Sequence, residues 1–196
     1  MDFKSLKTNK GNLMNGIIAL TPKKYEDSRG FFYESWNSRK FNEILNKKVD
    51  FVQDNHSRSK KGVLRGLHFQ IQPNAQGKLV RCIYGEIYDV AVDLRINSKT
   101  FGEWTSALLG SRTQNQLWIP EGFAHGFLTL SDYAEVIYKT NNFWNKYSEK
   151  SLKWNDEELR IEWPLEKLEG KQVLISDKDS NASSLEDIIK NSQFYK

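Results

Sequence analysis

Residues 51–70, FVQDNHSRSKKGVLRGLHFQ, bring together groups that can move protons and hold an anion. His68 carries an imidazole, which gives up or takes a proton near neutral pH. Arg65 carries a fixed planar cation suited to bidentate recognition of phosphate or carboxylate. Gln53 and Asn55 add two amides, and strand alternation places them on one face of an extended first arm, Phe51 to Ser57. The second arm runs from Val63 to Gln70 and holds Arg65 and His68, so the stretch reads as two paired strands joined by a basic turn. Such residues also decorate loops and solvated faces, and on their types alone a site and a surface are equally good readings. Strict alternation sets Arg65 and His68 on opposite faces. If both serve one pocket, the strand must bulge or twist, and Gly66 is the expected place.

Two further clusters carry chemistry. In Glu86 to Leu94 (EIYDVAVDL), alternation puts Tyr88, Val90, Val92 and Leu94 on one face, and Ile87, Asp89, Ala91 and Asp93 on the other. Two carboxylates there mean either an exposed face or a polar pocket inside a barrel, and Ala91 between them favours the pocket. Asp89 is then within reach of His125 or His68. The corner Pro120-Glu121-Gly122-Phe123-Ala124-His125 has the pattern PxGxxH. It resembles the second motif of the cupin superfamily of double-stranded β-helix barrels, whose metal-binding members use that His as a ligand. Their first motif supplies an HxH pair. Here the matching place reads His68-Phe69-Gln70, and the chain has only three His. A first-row metal held by nitrogen and oxygen normally takes three or four protein groups. The barrel resemblance stands, and no metal is expected.

The elements that must position these groups read as mainly β. Short apolar or alternating runs, separated by Gly, Pro, Asn and Asp, recur at roughly ten-residue spacing, the signature of a sandwich or barrel. Strands are expected over 13–20, 31–36, 78–84, 86–94, 102–109, 116–120, 127–130 and 134–140. The pair 78–84 and 86–94 looks like a hairpin closed near Gly85, and 127–130 with 134–140 like another, turning at Ser131-Asp132. Tyr25 to Gly30 is turn chemistry. Ser38 to Leu45 reads as a short helix capped by Ser38, and Ser183 to Asn191 as a final one, capped by Ser183 or Ser184. A further short helix is expected near 155–159, within a charged, irregular stretch. Residues 1–12 are polar and Lys-rich and read as a loose tail, followed by one barrel domain over 13–196.

The bulk numbers narrow the partners. A chain of 196 residues fits one domain and can bury a sizeable core. Charged residues reach 28%, with both signs mixed and a net charge of +4. That suits an anionic small molecule and gives no basic stripe for nucleic acid. No apolar run approaches the ~20 residues of a membrane span. The single cysteine, Cys82, and a polar start without a signal segment fit a cytoplasmic protein.

Five blocks carry a narrower resemblance: Asp27-Ser28-Arg29-Gly30-Phe31-Phe32, the stretch 51–70, QGKLVRC, WIPEGFAHGF, and Ser176-Asp177-Lys178-Asp179. In this order, over about 14–182, they resemble the dTDP-4-dehydrorhamnose 3,5-epimerase family. The resemblance implies a cupin-like jelly-roll barrel and a dTDP-linked 4-keto-6-deoxyglucose as substrate. It further implies a reaction without cofactor or metal and a homodimer whose N-terminal strands add to the partner's sheet. It gives His68 the role of base, Asp179 that of its carboxylate partner, Tyr138 that of acid on the opposite face, and Lys78 that of cation at the C4 oxygen. Arg29 and Arg65 match diphosphate contacts. Gln53, Asn55 and His125 match groups of the same cleft, Phe31 and Glu34 lie near the thymidine, and Trp144 stands where a ring stacks on thymine. A C3-only epimerase, or one taking another 4-keto sugar nucleotide, would use the same residues. The chain departs from the family at Ser180 to Leu185, where the usual run is Ala-Pro-Leu-like and the proline is missing.

Overall fold

The short alternating runs form thirteen strands in the computed structural model, which describes residues 1–191. In chain order these are β1 (Asp2–Lys7), β2 (Leu13–Thr21), β3 (Lys24–Asp27), β4 (Gly30–Tyr33), β5 (Gln53–Lys60), β6 (Leu64–Gln70) and β7 (Lys78–Tyr84). They continue with β8 (Glu86–Asp93), β9 (Trp104–Gly110), β10 (Gln116–Ile119), β11 (Phe123–Thr129), β12 (Tyr133–Thr140) and β13 (Glu149–Ser151). Helix α1 (Ser38–Leu45) lies between β4 and β5, and α2 (Asp177–Ser180) and α3 (Leu185–Lys190) follow β13. The expected barrel domain runs on into 192–196, which lie outside the described residues.

Two sheets face each other, ordered β1-β2-β10-β7-β12-β5 and β13-β6-β11-β8-β9, and β3 and β4 form a separate two-stranded sheet. From β5 to β8 and from β9 to β12 each successive strand crosses to the other sheet, as in a cupin-like jelly roll, while β1–β2 and β8–β9 pair within a sheet. This corrects three expected pairings. β5 bonds β12 while β6 bonds β11 and β13, so the two arms of 51–70 are not partners. β7 and β8 also sit in different sheets, as do β11 and β12. The corners are interlocked rather than free turns. Glu86 N donates to Ser131 Oγ at 2.9 Å, and a Cβ on Gly85 would come within 2.1 Å of the Tyr133 carbonyl oxygen.

Three apolar clusters fill the layers. Met14, Ile17, Val80, Ile87, Ala91, Leu117, Phe127 and Val136 pack between the sheets. Val90, Val92 and Leu94, on the opposite face of β8, pack with Trp104, Leu159, Trp163, Leu168, Leu185 and Ile188, so the irregular C-terminal third covers the outside of that sheet. Helix α1 covers the other sheet through Phe41, whose ring meets Trp36 at 4.9 Å and Trp118 at 5.3 Å.

Several local expectations change. Residues 2–7, read as a loose tail, pair along β2, because an edge strand offers their backbone hydrogen bonds whatever their side chains. The next turn is fixed by Thr8, whose Oγ1 accepts from Lys10 N and Asn12 N at 3.2 Å each. β2 in turn pairs with β10 of the same chain. Helix α1 has the expected bounds, but Asn37 rather than Ser38 caps it, accepting from Lys40 N at 3.1 Å. Ser184 caps α3 in a reciprocal capping box with Asp187. No helix forms at 155–159. There Asp156 accepts from Glu158 N and Leu159 N and, at 2.9 Å, from Leu185 N, tying the loop to α3. No helix of the described residues is long and apolar enough to cross a membrane.

Candidate active site

Gly66 decides what β6 presents. Opposite β11, His125 faces His68 and Phe127 faces Arg65, so β6 takes three steps where β11 takes two. The extra residue is the expected bulge. Gly66 adopts φ of 122°, and a Cβ there would lie 2.6 Å from Gly126 Cα, so only glycine allows this approach. The bulge turns Arg65 back to the side of His68. Both then line a cavity of about 430 Å³ between the sheets, together with Lys78, His125, Tyr138 and Asp179.

His68 Nε2 lies 2.5 Å from Asp179 Oδ1. The carboxylate arrives on α2, where Ser176 Oγ accepts from Asp179 N at 3.2 Å. Its second oxygen accepts from Gly66 N at 3.4 Å, so the bulge also supplies a donor to the partner of His68. Burial works to raise the Asp179 pKa. The hydrogen bond and charge of His68, with the bonds from Gly66 and Ser176, outweigh it and hold the carboxyl below its ordinary range. A carboxylate so held fixes one ring nitrogen as a donor and leaves the other to exchange a proton with a substrate.

Tyr138 and Lys78 come from the opposite sheet, on β12 and β7. Burial, reinforced by Glu149, raises the Tyr138 pKa against the pull of Arg65, so the phenol keeps its proton and can give it. Lys78 is buried, and its Nζ donates to the His68 carbonyl at 3.1 Å. Burial pushes its pKa down to about 8. Asp89 pairs with His125 and not with His68. The two are 2.7 Å apart and buried, which places Asp89 inside the barrel. Asp93, on the same face of β8, is equally buried but serves a loop. It accepts from Arg95, Ser98 and Thr100.

The remaining expected site residues lie outside this cavity. Gln53 donates to Asn55 Oδ1 at 2.9 Å and accepts from Trp144 N at 3.0 Å, forming a polar ledge on the edge strand β5 beside Tyr138. Trp144 is exposed there. Arg65 is steadied by Ser59 Oγ, which accepts from its Nε at 3.0 Å. Arg29, Phe31 and Glu34 are not brought to the cavity of their own chain. Arg29 sits at the β3–β4 turn paired with Asp27 at 2.6 Å, Phe31 is exposed on β4, and Glu34 pairs with Lys40 at 2.8 Å. The reason is the small separate sheet, which stands off the barrel. Sequence reasoning missed Glu149, paired with Lys178 at 2.7 Å and close enough to act on Tyr138 and Lys78. It also missed the wall at Leu174 to Ser176. The one signal for that wall was the Ser176 cap before the 177–179 block.

Among the described residues, no group of three or more His, Cys, Asp or Glu side chains is arranged to hold a metal ion. The sheet order and the cavity between the sheets define a cupin-like jelly roll, with a His–Asp pair on the cavity wall. The sequence model for dTDP-4-dehydrorhamnose 3,5-epimerase matches residues 12–187, and the chain belongs to that family. It is 59% identical over 152 residues to the dTDP-4-dehydrorhamnose 3,5-epimerase of Salmonella typhimurium, covering 78% of this chain and 83% of that one. The Shigella flexneri enzyme of the same name is 54% identical over 171 residues, 87% and 92% of the two chains. Among solved structures, the dTDP-6-deoxy-D-glucose-3,5-epimerase of Legionella pneumophila in complex with dTDP-4-keto-L-rhamnose superposes with a TM-score of 0.89 at 42% identity. That match covers 100% of this chain and 98% of the other.

Proposed function

We propose that the protein epimerises C3 and C5 of dTDP-4-keto-6-deoxyglucose to give dTDP-4-keto-L-rhamnose. The C4 ketone acidifies the hydrogens on both carbons. His68 takes each proton in turn from one face of the sugar, and Asp179 stabilises the imidazolium that results. The negative charge moves to the C4 oxygen, where the Lys78 ammonium stabilises the enolate. Tyr138 returns a proton to the same carbon from the other face, and the C–H bond re-forms inverted. Between the two inversions the His68 imidazolium gives its proton to water and the Tyr138 phenolate takes one up, so atoms and charge balance without a redox partner. The observation that carries this reading is the placement of His68 with Asp179 on one wall of a single cavity and of Tyr138 with Lys78 on the other.

Arg65 binds the diphosphate, His125 the sugar, and Gln53, Asn55 and Trp144 the nucleotide along the β5 ledge. Arg29, Phe31 and Glu34 act on a second copy of the chain, so the active form is a homodimer. The exposed rings of Tyr25, Phe31 and Phe32 on the β3–β4 sheet, and the open edge of β5, support such an association. The setting is cytoplasmic, which a single buried cysteine suits. Proton NMR of the product formed in deuterated water tests the reaction. Deuterium at both C3 and C5 is expected. Deuterium at C3 alone would make this a C3 epimerase, and none at either carbon overturns the proposal.

A further inference from the structure

Helix α2 is a single turn, Asp177–Ser180, and Asp179 is the one side chain it buries. A turn this short is not stable by itself, and helices in proteins are mostly held by an apolar face packed on the core. Helix α3 has such a face in Leu185 and Ile188. α2 has none, yet the carboxylate it carries meets a ring nitrogen at 2.5 Å. Whatever holds α2 in place therefore bears on the reaction.

We propose that Ser176 is a positioning residue for the reaction: by capping α2 it carries the fixed position of Leu174 through to the Asp179 carboxylate and keeps that carboxylate on His68. The proposal deepens the reading above and rests on His68 and Asp179 as the pair that takes the proton. Leu174 is fixed because it bridges Val63, just before β6. Its N–H donates to the Gly62 carbonyl at 2.8 Å, and its carbonyl accepts from Leu64 N at 2.9 Å. Two residues further on, Ser176 Oγ accepts from Asp179 N at 3.2 Å, and the Ser176 carbonyl accepts from Ser180 N at 2.9 Å. The side-chain bond ends on Asp179 itself. It satisfies a donor that the first turn of a helix cannot satisfy internally.

The other ties on α2 are weaker or more distant. On its far side the chain is next fixed at Ser183, which bridges Leu152 next to β13 and whose N–H donates to the Ser151 carbonyl at 3.1 Å. That anchor lies beyond a loose last turn, where Ala182 N reaches the Asp179 carbonyl at 3.4 Å. Among the described residues, the side-chain bond that joins α2 to the barrel, apart from those of Asp179, is the ion pair of Lys178 with Glu149 at 2.7 Å. The Lys178 side chain is 46% exposed, so water screens that pair. The bonds of Asp179 to His68 and Gly66 are the contacts to be positioned and cannot be their own cause. The cap is the short link left between an anchored residue and the carboxylate.

The test compares Ser176→Ala, which removes the cap, with Ser176→Asn, which replaces it, since Asn caps as well as Ser but carries no hydroxyl. Ser176 is exposed, so neither change disturbs the core, and circular dichroism checks the fold. Full-length protein is labelled with 15N at histidine, and the proton shared by His68 and Asp179 is followed by NMR without substrate. Its signal is assigned by its loss in His68→Gln. On the same samples kcat and KM are measured with dTDP-4-keto-6-deoxyglucose. In Ser176→Ala the signal is expected to move upfield or to be lost to exchange with water. The expected loss in kcat is about tenfold, the factor that matches the free energy of a cap, with KM little changed. Ser176→Asn is expected to restore both the signal and kcat. A signal unmoved in Ser176→Ala overturns the proposal whatever the activity does. A KM that rises at unchanged kcat makes Ser176 a substrate contact and overturns it too, as does a loss that Ser176→Asn fails to restore. A signal that moves while kcat stays the same overturns instead the reading of His68 and Asp179 as the working pair, and the proposal falls with it.

Discussion

His68 and His125 face each other on neighbouring strands of one sheet, and each meets an Asp at a similar distance, 2.5 Å for His68 with Asp179 of α2 and 2.7 Å for His125 with Asp89 of β8. Their surroundings differ. The His68 side chain is 29% exposed, on the cavity, whereas that of His125 is 7% exposed. The Asp179 carboxylate accepts a backbone N–H from Gly66, and its own backbone N–H donates to the Ser176 cap, while Asp89 has one oxygen with no donor. The difference teaches that the residue pair does not define the base. A ring open to substrate, backed by a carboxylate that hydrogen bonds hold ionised, can cycle through a charged state. A ring that is almost wholly buried and only borders the cavity is held toward its neutral form.

Substitutions can break this comparison. The largest effect is expected for His68→Ala, with a loss of at least ~100-fold in kcat at unchanged fold by circular dichroism, as removal of a general base usually gives. Asp179→Asn removes the carboxylate but not the ring, and a loss on the order of 10–100-fold is expected, at or below the ~100-fold lower end of general-base contributions. The same variant sharpens the electrostatic side. The folded Asp179 pKa is depressed, so its stabilisation is present above the unfolded carboxylate pKa and is lost as pH falls through the folded one. Asp179→Asn should therefore flatten the acid limb of a plot of melting temperature against pH, with little change in its shape above pH 7.

The smallest effect on stability concerns Lys78. Its folded pKa is lowered to about 8 from the ordinary 10.5. Between those values the unfolded chain binds more protons than the folded one, so stability rises with pH across that window and is lower below it. Lys78→Met should accordingly raise the melting temperature at pH 7, remove the rise between pH 8 and 10.5, and abolish most turnover. Calorimetry at several pH values checks the first two points, and the product assay checks the third. A cation kept where it costs stability is a mark of function.

Much of this arrangement is legible in the sequence, and what is not has a physical reason. Alternation located most of the strands and grouped Asp89 with Ile87, Ala91 and Asp93, but left open whether that face met solvent or a pocket, since β8 is buried on both faces. The conflict between Arg65 and His68 pointed to the bulge at Gly66, because only a break in alternation could join them in one pocket. Which strand bonds to which was not legible. The arms of 51–70 and the runs beside Gly85 and Ser131 alternate as hairpin arms do, yet each lies across a sheet crossing. Alternation fixes the buried face and says nothing of the hydrogen-bonding neighbour. β1 escaped notice because edge pairing is a property of the backbone. Asp179 could be tied to His68 only through the family resemblance, for local pattern does not record which distant helix lands on a strand. Glu149, in a three-residue strand of mixed burial, left no periodic signal at all.

The account rests on His68 and not His125 being the base, and proton exchange reports that more directly than turnover does. Wild-type protein, His68→Ala and His125→Ala are each incubated with dTDP-4-keto-6-deoxyglucose in deuterated water, and the initial rate of deuterium entry at C3 is read by NMR. The account predicts that His68→Ala exchanges at least ~100-fold more slowly than wild type, while His125→Ala still exchanges, at a rate well above that of His68→Ala. Exchange that survives in His68→Ala and disappears in His125→Ala would contradict it.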